Sequence, residues 1–405
     1  MSLPAHTRDP ENNALRQNND TTPQKLDAPL RQVSVNMHRA DNREQLPLHI
    51  ELPPRTRPVA IIGAGTVVED GHLPAYRQLG LDIAGITDRD YGRAREVAER
   101  FAIGHDRVFA STHELLRAAP ENAVIDIATP PAAFTGMLRD IPDGRAVLIQ
   151  KPMGENLETA RTIAALCKHK ALQAAVNFQL RYAPAVLGAN ALIAGGRIGT
   201  PRRIEVQVNY PPPDEWGTQE AGGYDTSRYR WEFTRTHPHP HLYYSFVHLL
   251  DLLRAFLGDP RTIASSPETV PDKLLSLHCR QLRLTFDAGK EATVGWALGD
   301  TPGHFFTIIG QRGRIRLSFP VSYPNTGPDT LEHRPGNCSL EKAESIPVEG
   351  AWFPEAFRGT MAALQCRCED PAYLLPTRVD ESLRTMIALD AVVRALDKET
   401  VPIVY

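Results

Sequence analysis

Val59-Ala60-Ile61-Ile62-Gly63-Ala64-Gly65-Thr66-Val67-Val68 is the stretch from which the fold follows. Its first four residues form an apolar run too short for a helix and without the alternation of a half-exposed strand. They read as a strand covered on both faces, which is the habit of a parallel sheet. The G-x-G turn comes next. Gly63 allows the chain to turn tightly, and Gly65 lets backbone amides approach a pyrophosphate. The third position of the pattern, where Gly or Ala permits close helix–strand packing, is Val68, so the following helix is expected to be slightly displaced. Ala64 and Thr66 fall within the same turn.

Asp88 lies about 20 residues further on, at the end of the next strand-like run, where an acid accepts hydrogen bonds from ribose hydroxyls and repels a 2′-phosphate. Arg89 beside it could turn toward such a phosphate. NAD is therefore the expected cofactor, with NADP possible. The plainer alternatives are an ordinary βα turn at Gly63–Gly65 and a helix-capping role for Asp88.

Outward from this stretch, short apolar runs alternate with amphipathic ones. Strands are expected at Asp82–Thr87, Val108–Ala110, Val124–Ala128 and Ala146–Ile149. Helical spacing falls at Leu73–Leu79, Tyr91–Phe101, Thr112–Ala118 and Ala133–Leu138. That order makes βαβ units and a doubly wound parallel sheet, an α/β Rossmann domain over residues 58–178. Beyond about residue 180 strands follow one another: Arg203–Tyr210, Gln281–Phe286, Glu291–Ala297, Phe305–Ile309 and Arg314–Ser318. Helices are fewer there, at Tyr243–Leu257, Phe353–Leu364 and Glu381–Leu396. Residues 179–405 thus read as an α+β domain with a mainly antiparallel open sheet. Tyr210–Asp214 and Glu220–Arg230 read as long loops. Residues 1–57 are polar and without periodicity, a disordered extension in which Leu46–Leu52 could dock locally.

Composition narrows the class. The 405 residues carry a net charge of -3 with Lys and Arg interspersed among acids, which gives no electrostatic footprint for nucleic acid. No apolar run is long enough to span a membrane. The N-terminus lacks the layout of a secretory signal. Five scattered cysteines make no disulfide framework, so a reducing, cytoplasmic compartment is expected. Cys366 and Cys368 lack a second pair, and the proline-alternated run His237–His241 lacks an acidic or Cys partner. No metal site is expected.

Several segments in order resemble the glucose–fructose oxidoreductase, inositol dehydrogenase and rhizopine catabolism (Gfo/Idh/MocA) family. After the Gly turn come His72-Leu73-Pro74-Ala75 and Asp126-Ile127-Ala128-Thr129-Pro130-Pro131. Gln150-Lys151-Pro152-Met153 and Val176-Asn177-Phe178-Gln179-Leu180-Arg181-Tyr182 follow, then His248-Leu249-Leu250-Asp251 and Ile309-Gly310-Gln311-Arg312-Gly313. The resemblance runs from about residue 58 to 403. It implies hydride transfer between nicotinamide and a hydroxyl- or carbonyl-bearing carbon of a sugar, polyol or diol. It also implies a homodimer or homotetramer joined through the C-terminal sheet.

The resemblance assigns site residues. Lys151, just past an apolar strand, would polarise the reacting oxygen near the nicotinamide, where repulsion from the oxidised ring lowers its proton affinity. His248 matches the acid/base position, and an imidazole suits removal of a carbinol proton. Thr129 and Pro130 fall beside the cofactor with Gly63, Ala64, Gly65, Thr66, Asp88, Arg89 and Lys151. Arg181, Tyr182, Tyr244 and His248 would face substrate, Arg181 having a structural salt bridge as its plainer reading. The loop Arg228-Tyr229-Arg230-Trp231 offers cations and rings to the pocket or to an exposed surface. Three positions depart from the family pattern: Gln150 stands for Glu, Phe134 for His and Tyr244 for Asp. Gln150 removes a carboxylate near Lys151, and Phe134 is expected at the nicotinamide edge or in the core. These departures support a second reading of the same fold, a cofactor-binding but non-catalytic sensor or partner-binding protein.

Overall fold

The computed structural model describes residues 46, 48–210, 239, 242–267, 280–298, 302–320, 327–336, 343–396, 398 and 400–405. Residues 1–45, the loops expected over 211–230, Arg228–Trp231 and, apart from His239, the run His237–His241 lie outside them.

The first half is built on six parallel strands: β1 (Val59–Ile62), β2 (Ile83–Thr87), β3 (Val108–Phe109), β4 (Val124–Ile127), β5 (Ala146–Ile149) and β6 (Gln173–Val176). Their order is β3-β2-β1-β4-β5-β6, the doubly wound arrangement with its crevice where the order reverses between β1 and β4. β1, β4 and β5 are buried at every residue, as their uninterrupted apolar runs require. The connecting helices are α1 (Leu73–Gln78), α2 (Tyr91–Arg100), α3 (Thr112–Ala118), α4 (Phe134–Asp140) and α5 (Leu157–His169). Side-chain caps start three of them. Asp90 accepts the Arg93 N–H, Ser111 the Glu114 N–H and Asn156 the Thr159 N–H. Each such cap contributes ~1 kcal/mol by satisfying an amide the helix leaves open.

Between the Gly turn and α1 the chain makes a widened π-type turn over Val68–His72, with Val68 fully buried. The valine is thus accommodated within a locally wider helical turn.

The second half carries a nine-stranded sheet. Helix α6 (Pro184–Ala194) leads to β7 (Pro201–Tyr210), and a π-type turn over Leu242–Phe246 leads into α7 (Val247–Leu257). Then come β8 (Pro260–Pro267), β9 (Arg280–Phe286), β10 (Glu291–Leu298), β11 (Gly303–Gly310), β12 (Gly313–Phe319), β13 (Thr330–Pro335) and β14 (Glu344–Ile346). Helices α8 (Glu355–Glu369) and α9 (Val379–Ala395) and strand β15 (Thr400–Pro402) complete the chain. The order is β14-β13-β12-β11-β7-β10-β9-β8-β15, antiparallel throughout except for the parallel pair β7–β10. Alternation along β12 buries Ile315 and Leu317 and exposes Arg314 and Arg316, so one face is core and the other open.

The packing crosses the division drawn at residue 178. One face of the Rossmann sheet is covered by Phe353, Phe357, Met361 and Leu364, which join Val59, Ile61, Val68, Tyr76 and Leu148 in one buried cluster. Helix α9 lies against α5, and a bridge links Ala175 of β6 to Arg378. The described residues at the end of the 1–57 extension pack against the C-terminal half. The backbone of Arg57 exchanges two hydrogen bonds with the Gln365 side chain, at 2.8 and 2.9 Å. The Arg57 guanidinium reaches the Cys368 carbonyl at 2.8 Å, and Leu46 and Leu48 border Gly188 of α6. The apolar residues of this arm dock where α6 and α8 offer a partner, a gain that the polar residues around them conceal.

Candidate active site

The crevice at the carboxyl ends of β1 and β4 is shaped by two glycines of opposite character. Gly63 adopts φ +113°, and a Cβ there would meet the Ala128 carbonyl oxygen at 2.6 Å, so only glycine lets β1 and the turn after β4 approach. Gly65 is exposed, with nothing within 4 Å of where a Cβ would stand. That open lane over the turn suits a pyrophosphate. The turn is latched from below by Arg93, whose Nε donates to the Ala64 carbonyl at 3.1 Å while its guanidinium and that of Arg100 grip Glu69.

Asp88 follows β2, as expected. Its Oδ2 accepts the Ala64 N–H at 2.7 Å and its Oδ1 the Asp90 N–H at 2.9 Å. Each carboxylate oxygen has a second lone pair, so the part-buried group keeps acceptor capacity for a ribose hydroxyl. Arg89 is exposed beside it. Thr129 and Pro130 border the crevice after β4, and the Thr129 hydroxyl lies 3.4 Å from the Met137 sulfur.

Lys151 follows β5, two strands from the Gly turn. Its Nζ donates to the backbone carbonyl of Tyr244 at 2.6 Å. Tyr244 lies in the π-type turn that opens α7, one turn before His248, so this contact joins the two halves of the molecule at the site. Tyr244 thus meets Lys151 through its backbone carbonyl.

Burial pulls the Lys151 ammonium down from its ordinary 10.5 to about 8. The same cause, with the charge of Lys151 and then the neighbouring His304, holds His248 well below the ordinary histidine range. At neutral pH His248 is an uncharged base whose buried Nδ1 has no hydrogen-bond partner in the structure. The Phe178 ring stands edge-on to it at 6.1 Å. His304 comes from β11 and was missed in the sequence reading, since Gly303-His304-Phe305-Phe306 carries no motif. Burial draws it down to about 4, and its Nε2 also lacks a partner. The described part of the centre is thus one ammonium and two neutral imidazoles.

Arg181 is paired with an acid one turn beyond His248 on the same helix. The Arg181 Nε and one terminal nitrogen bind the Asp251 carboxylate at 2.5 and 2.8 Å, the Asp251 side chain being 3% exposed and further held by Thr385 at 2.9 Å. Tyr182 is buried against Gly359 of α8. The salt-bridge reading of Arg181 is the one that the geometry supports. Phe134 is fully buried in the main core. No group of three or more His, Cys, Asp or Glu side chains suited to a metal occurs among the described residues. None of their helices is long and apolar enough to cross a membrane.

A doubly wound sheet with a G-x-G turn, an open lane over its second glycine and a lysine at the end of β5 define a dinucleotide-binding Rossmann protein. The residues present fit the nucleotide. The chain belongs to the Gfo/Idh/MocA oxidoreductase family: residues 57–178 match its NAD-binding Rossmann fold, and residues 186–316 its C-terminal domain. Among its relatives, 1,5-anhydro-D-fructose reductase of Ensifer adhaerens is 29% identical over 168 residues, 40% of this chain and 50% of that protein. Inositol 2-dehydrogenase of Burkholderia cenocepacia is 24% identical over 220 residues, 54% of this chain and 59% of its own. The chain thus aligns with little more than half the length of these two relatives. A solved structure of an oxidoreductase from Agrobacterium radiobacter, in complex with NAD+, L-tartaric acid and magnesium, superposes with a TM-score of 0.67. It shares 20% identity over 86% of this chain and 98% of its own.

Proposed function

We propose that this protein transfers a hydride between a nicotinamide dinucleotide, NAD in preference to NADP, and a hydroxyl- or carbonyl-bearing carbon of a sugar-like, cyclic polyol or related small molecule. The observation that carries the reading is the pairing of Lys151 and His248. Lys151 is held by the Tyr244 carbonyl one turn before His248, and that imidazole has a buried, unpartnered nitrogen. The nicotinamide supplies the hydride acceptor or donor when bound. In the oxidative direction neutral His248 takes the carbinol proton, and Lys151, mainly ammonium at neutral pH, donates to the oxygen as it becomes a carbonyl. In reduction the same two groups return the proton and polarise the carbonyl.

The NAD preference rests on Asp88, whose carboxylate stands where a 2′-phosphate would be repelled. Arg89 is the residue that would soften it. The non-catalytic sensor reading is less favoured, because Gln150 is hydrogen-bonded at both ends of its amide and Phe134 is core. The open face of the nine-stranded sheet is proposed as the surface joining two or four copies. It presents Arg203, Glu205, Arg283 and Glu291 as a ladder of ion pairs, with the Arg316 guanidinium over Phe305. A cytoplasmic location is proposed with it.

The test is fluorescence titration with NADH and NADPH, followed by turnover of a panel of sugars, inositols and diols. Binding of NADH ahead of NADPH with turnover of a hydroxylated compound is expected. Binding without turnover across the panel would favour the sensor, and no binding of either nucleotide would remove the reading at its base.

A further inference from the structure

Beneath Lys151 runs a buried polar chain that the proton transfer itself does not use. His72, from the end of the π-type turn before α1, and Asp126, from β4, both have fully buried side chains, and His72 Nδ1 lies 2.6 Å from Asp126 Oδ2. The Tyr76 hydroxyl of α1 donates to the same oxygen at 2.7 Å. On the other side of the ring, His72 Nε2 faces the Gln150 side-chain nitrogen at 2.9 Å and that of Asn177 at 3.2 Å. Gln150 Oε1 accepts the backbone N–H of Lys151 at 2.7 Å. The Phe357 ring, centred 5.1 Å from the imidazole, closes the site from α8. Residues following β5 and β6 thus converge on one imidazole with the end of β4 and the start of α1.

The protons in this chain can be placed by elimination. The Lys151 N–H can only donate, so the Gln150 atom facing it is the carbonyl oxygen. The other end of that amide is NH2, which can only donate, so His72 Nε2 must accept and bears no proton. The ring proton sits on Nδ1 and is given to Asp126. With Asp126 as a carboxylate, the chain holds one net negative charge. Were residue 150 a glutamate, both its oxygens would be acceptors. One would keep the Lys151 N–H, and the other would face Nε2, which would have to gain a proton. Asn177, whose Oδ1 is buried without a partner, could turn its amide to accept from that proton as well. A cationic ring between two carboxylates again carries one net negative charge.

Resting on the reading of Lys151 given above, we infer that His72 is a positioning residue acting through Gln150 on Lys151, and that glutamine at 150 is matched by a neutral Nδ1–H His72, so that the charge beneath the lysine equals that of a glutamate paired with a protonated histidine. The departure at residue 150 is thereby compensated inside the protein rather than left as a missing charge.

The experiment is NMR of the full chain labelled with 15N-histidine and 13C-lysine, in the wild type and in Gln150→Glu. Facing Lys151 are the Tyr244 carbonyl, His248 and, behind it, His304 from the C-terminal half, with Gln150, His72, Asp126 and Tyr76 beneath. In the wild type one buried histidine is expected as the Nδ1–H tautomer. In Gln150→Glu that ring alone becomes doubly protonated, and the Lys151 titration midpoint moves by less than about 0.5. An uncompensated carboxylate nearby would raise it by about one or more.

An Nε2–H or cationic ring in the wild type, an unchanged ring in the variant, or a Lys151 midpoint raised by about one would each overturn the inference. The wild-type spectrum decides the tautomer even if the variant does not fold. Gln150→Met, which removes both hydrogen bonds, is expected to move the Lys151 midpoint and lower kcat about tenfold with NADH affinity kept, and Gln150→Glu to lose less. An unmoved midpoint in Gln150→Met would refute the positioning role. If Lys151 proves dispensable for turnover while the spectra are as described, the functional reading fails and the proton placement stands.

Discussion

Lys151→Met separates function from stability. In the folded protein the Lys151 ammonium is shifted from its ordinary 10.5 to about 8 by burial alone. At ~1.4 kcal/mol for each tenfold change in proton affinity, holding that charge in the site costs the fold roughly 3 kcal/mol below pH 8. Methionine has similar length and no charge to desolvate. It forfeits the hydrogen bond to the Tyr244 carbonyl, worth about 1 kcal/mol net. The variant should therefore be about 2 kcal/mol more stable at neutral pH and close to inactive.

The sign with pH follows from the same shift. Because the folded value is the lower one, the unfolded chain binds more protons between about pH 8 and 10.5, and wild-type stability rises with pH across that window. The advantage of methionine is therefore full below pH 8 and fades toward 10.5. Urea denaturation of both proteins near neutrality and near pH 10, with turnover measured in parallel, checks this. A variant less stable than wild type at neutral pH, or a gain that does not diminish with rising pH, would refute the reasoning.

His248→Asn should cut kcat/KM at least a hundredfold with NADH binding kept. In the wild type, since burial and Lys151 hold that imidazole low, the rate should show no acid limb near the ordinary histidine value of 6.5 and an alkaline decline near 8 as Lys151 loses its proton. Gly63→Ala should destabilise the fold by about 3 kcal/mol and abolish nucleotide binding, because its Cβ collides with the Ala128 backbone at positive φ. Gly65→Ala should melt like wild type yet bind NADH at least tenfold more weakly, which thermal denaturation and fluorescence titration would separate. Arg181→Met should cost about 3 kcal/mol by stranding the Asp251 carboxylate, and Asp251→Leu in the same chain should restore much of it in a urea titration.

How much of this was legible in the sequence depends on the physics behind each element. β1, β4 and β5 announce themselves because a strand buried on both faces must be continuously apolar. β6 escapes because Gln173-Ala174-Ala175-Val176 is small and weakly branched. α6 escapes because Pro184–Ala194 is apolar all round and has no periodicity to find. Lys151 and His248 could be named from the motifs around them. What the motifs did not reveal was which atoms meet: the Lys151 ammonium binds the Tyr244 carbonyl, and Arg181 pairs with Asp251. His72 was quoted for its motif, but nothing local says that its ring meets Gln150, 78 positions away along the chain. His304 has no signature at all, since a single imidazole on a strand becomes chemistry only when the fold sets it near another.

The helix that covers the Rossmann sheet from the far end of the chain has a consequence for biosynthesis. Phe353, Phe357, Met361 and Leu364 belong to the cluster that buries Val59, Ile61 and Val68. As the polypeptide leaves the ribosome, the nucleotide-binding sheet can pair its strands early, yet one of its faces stays bare for some two hundred residues of further synthesis. The Gly63–Gly65 turn is translated well before the helix that supports it, so its packing is completed only after that helix has emerged. A nascent chain stalled before α8 would leave that apolar face exposed and prone to aggregation.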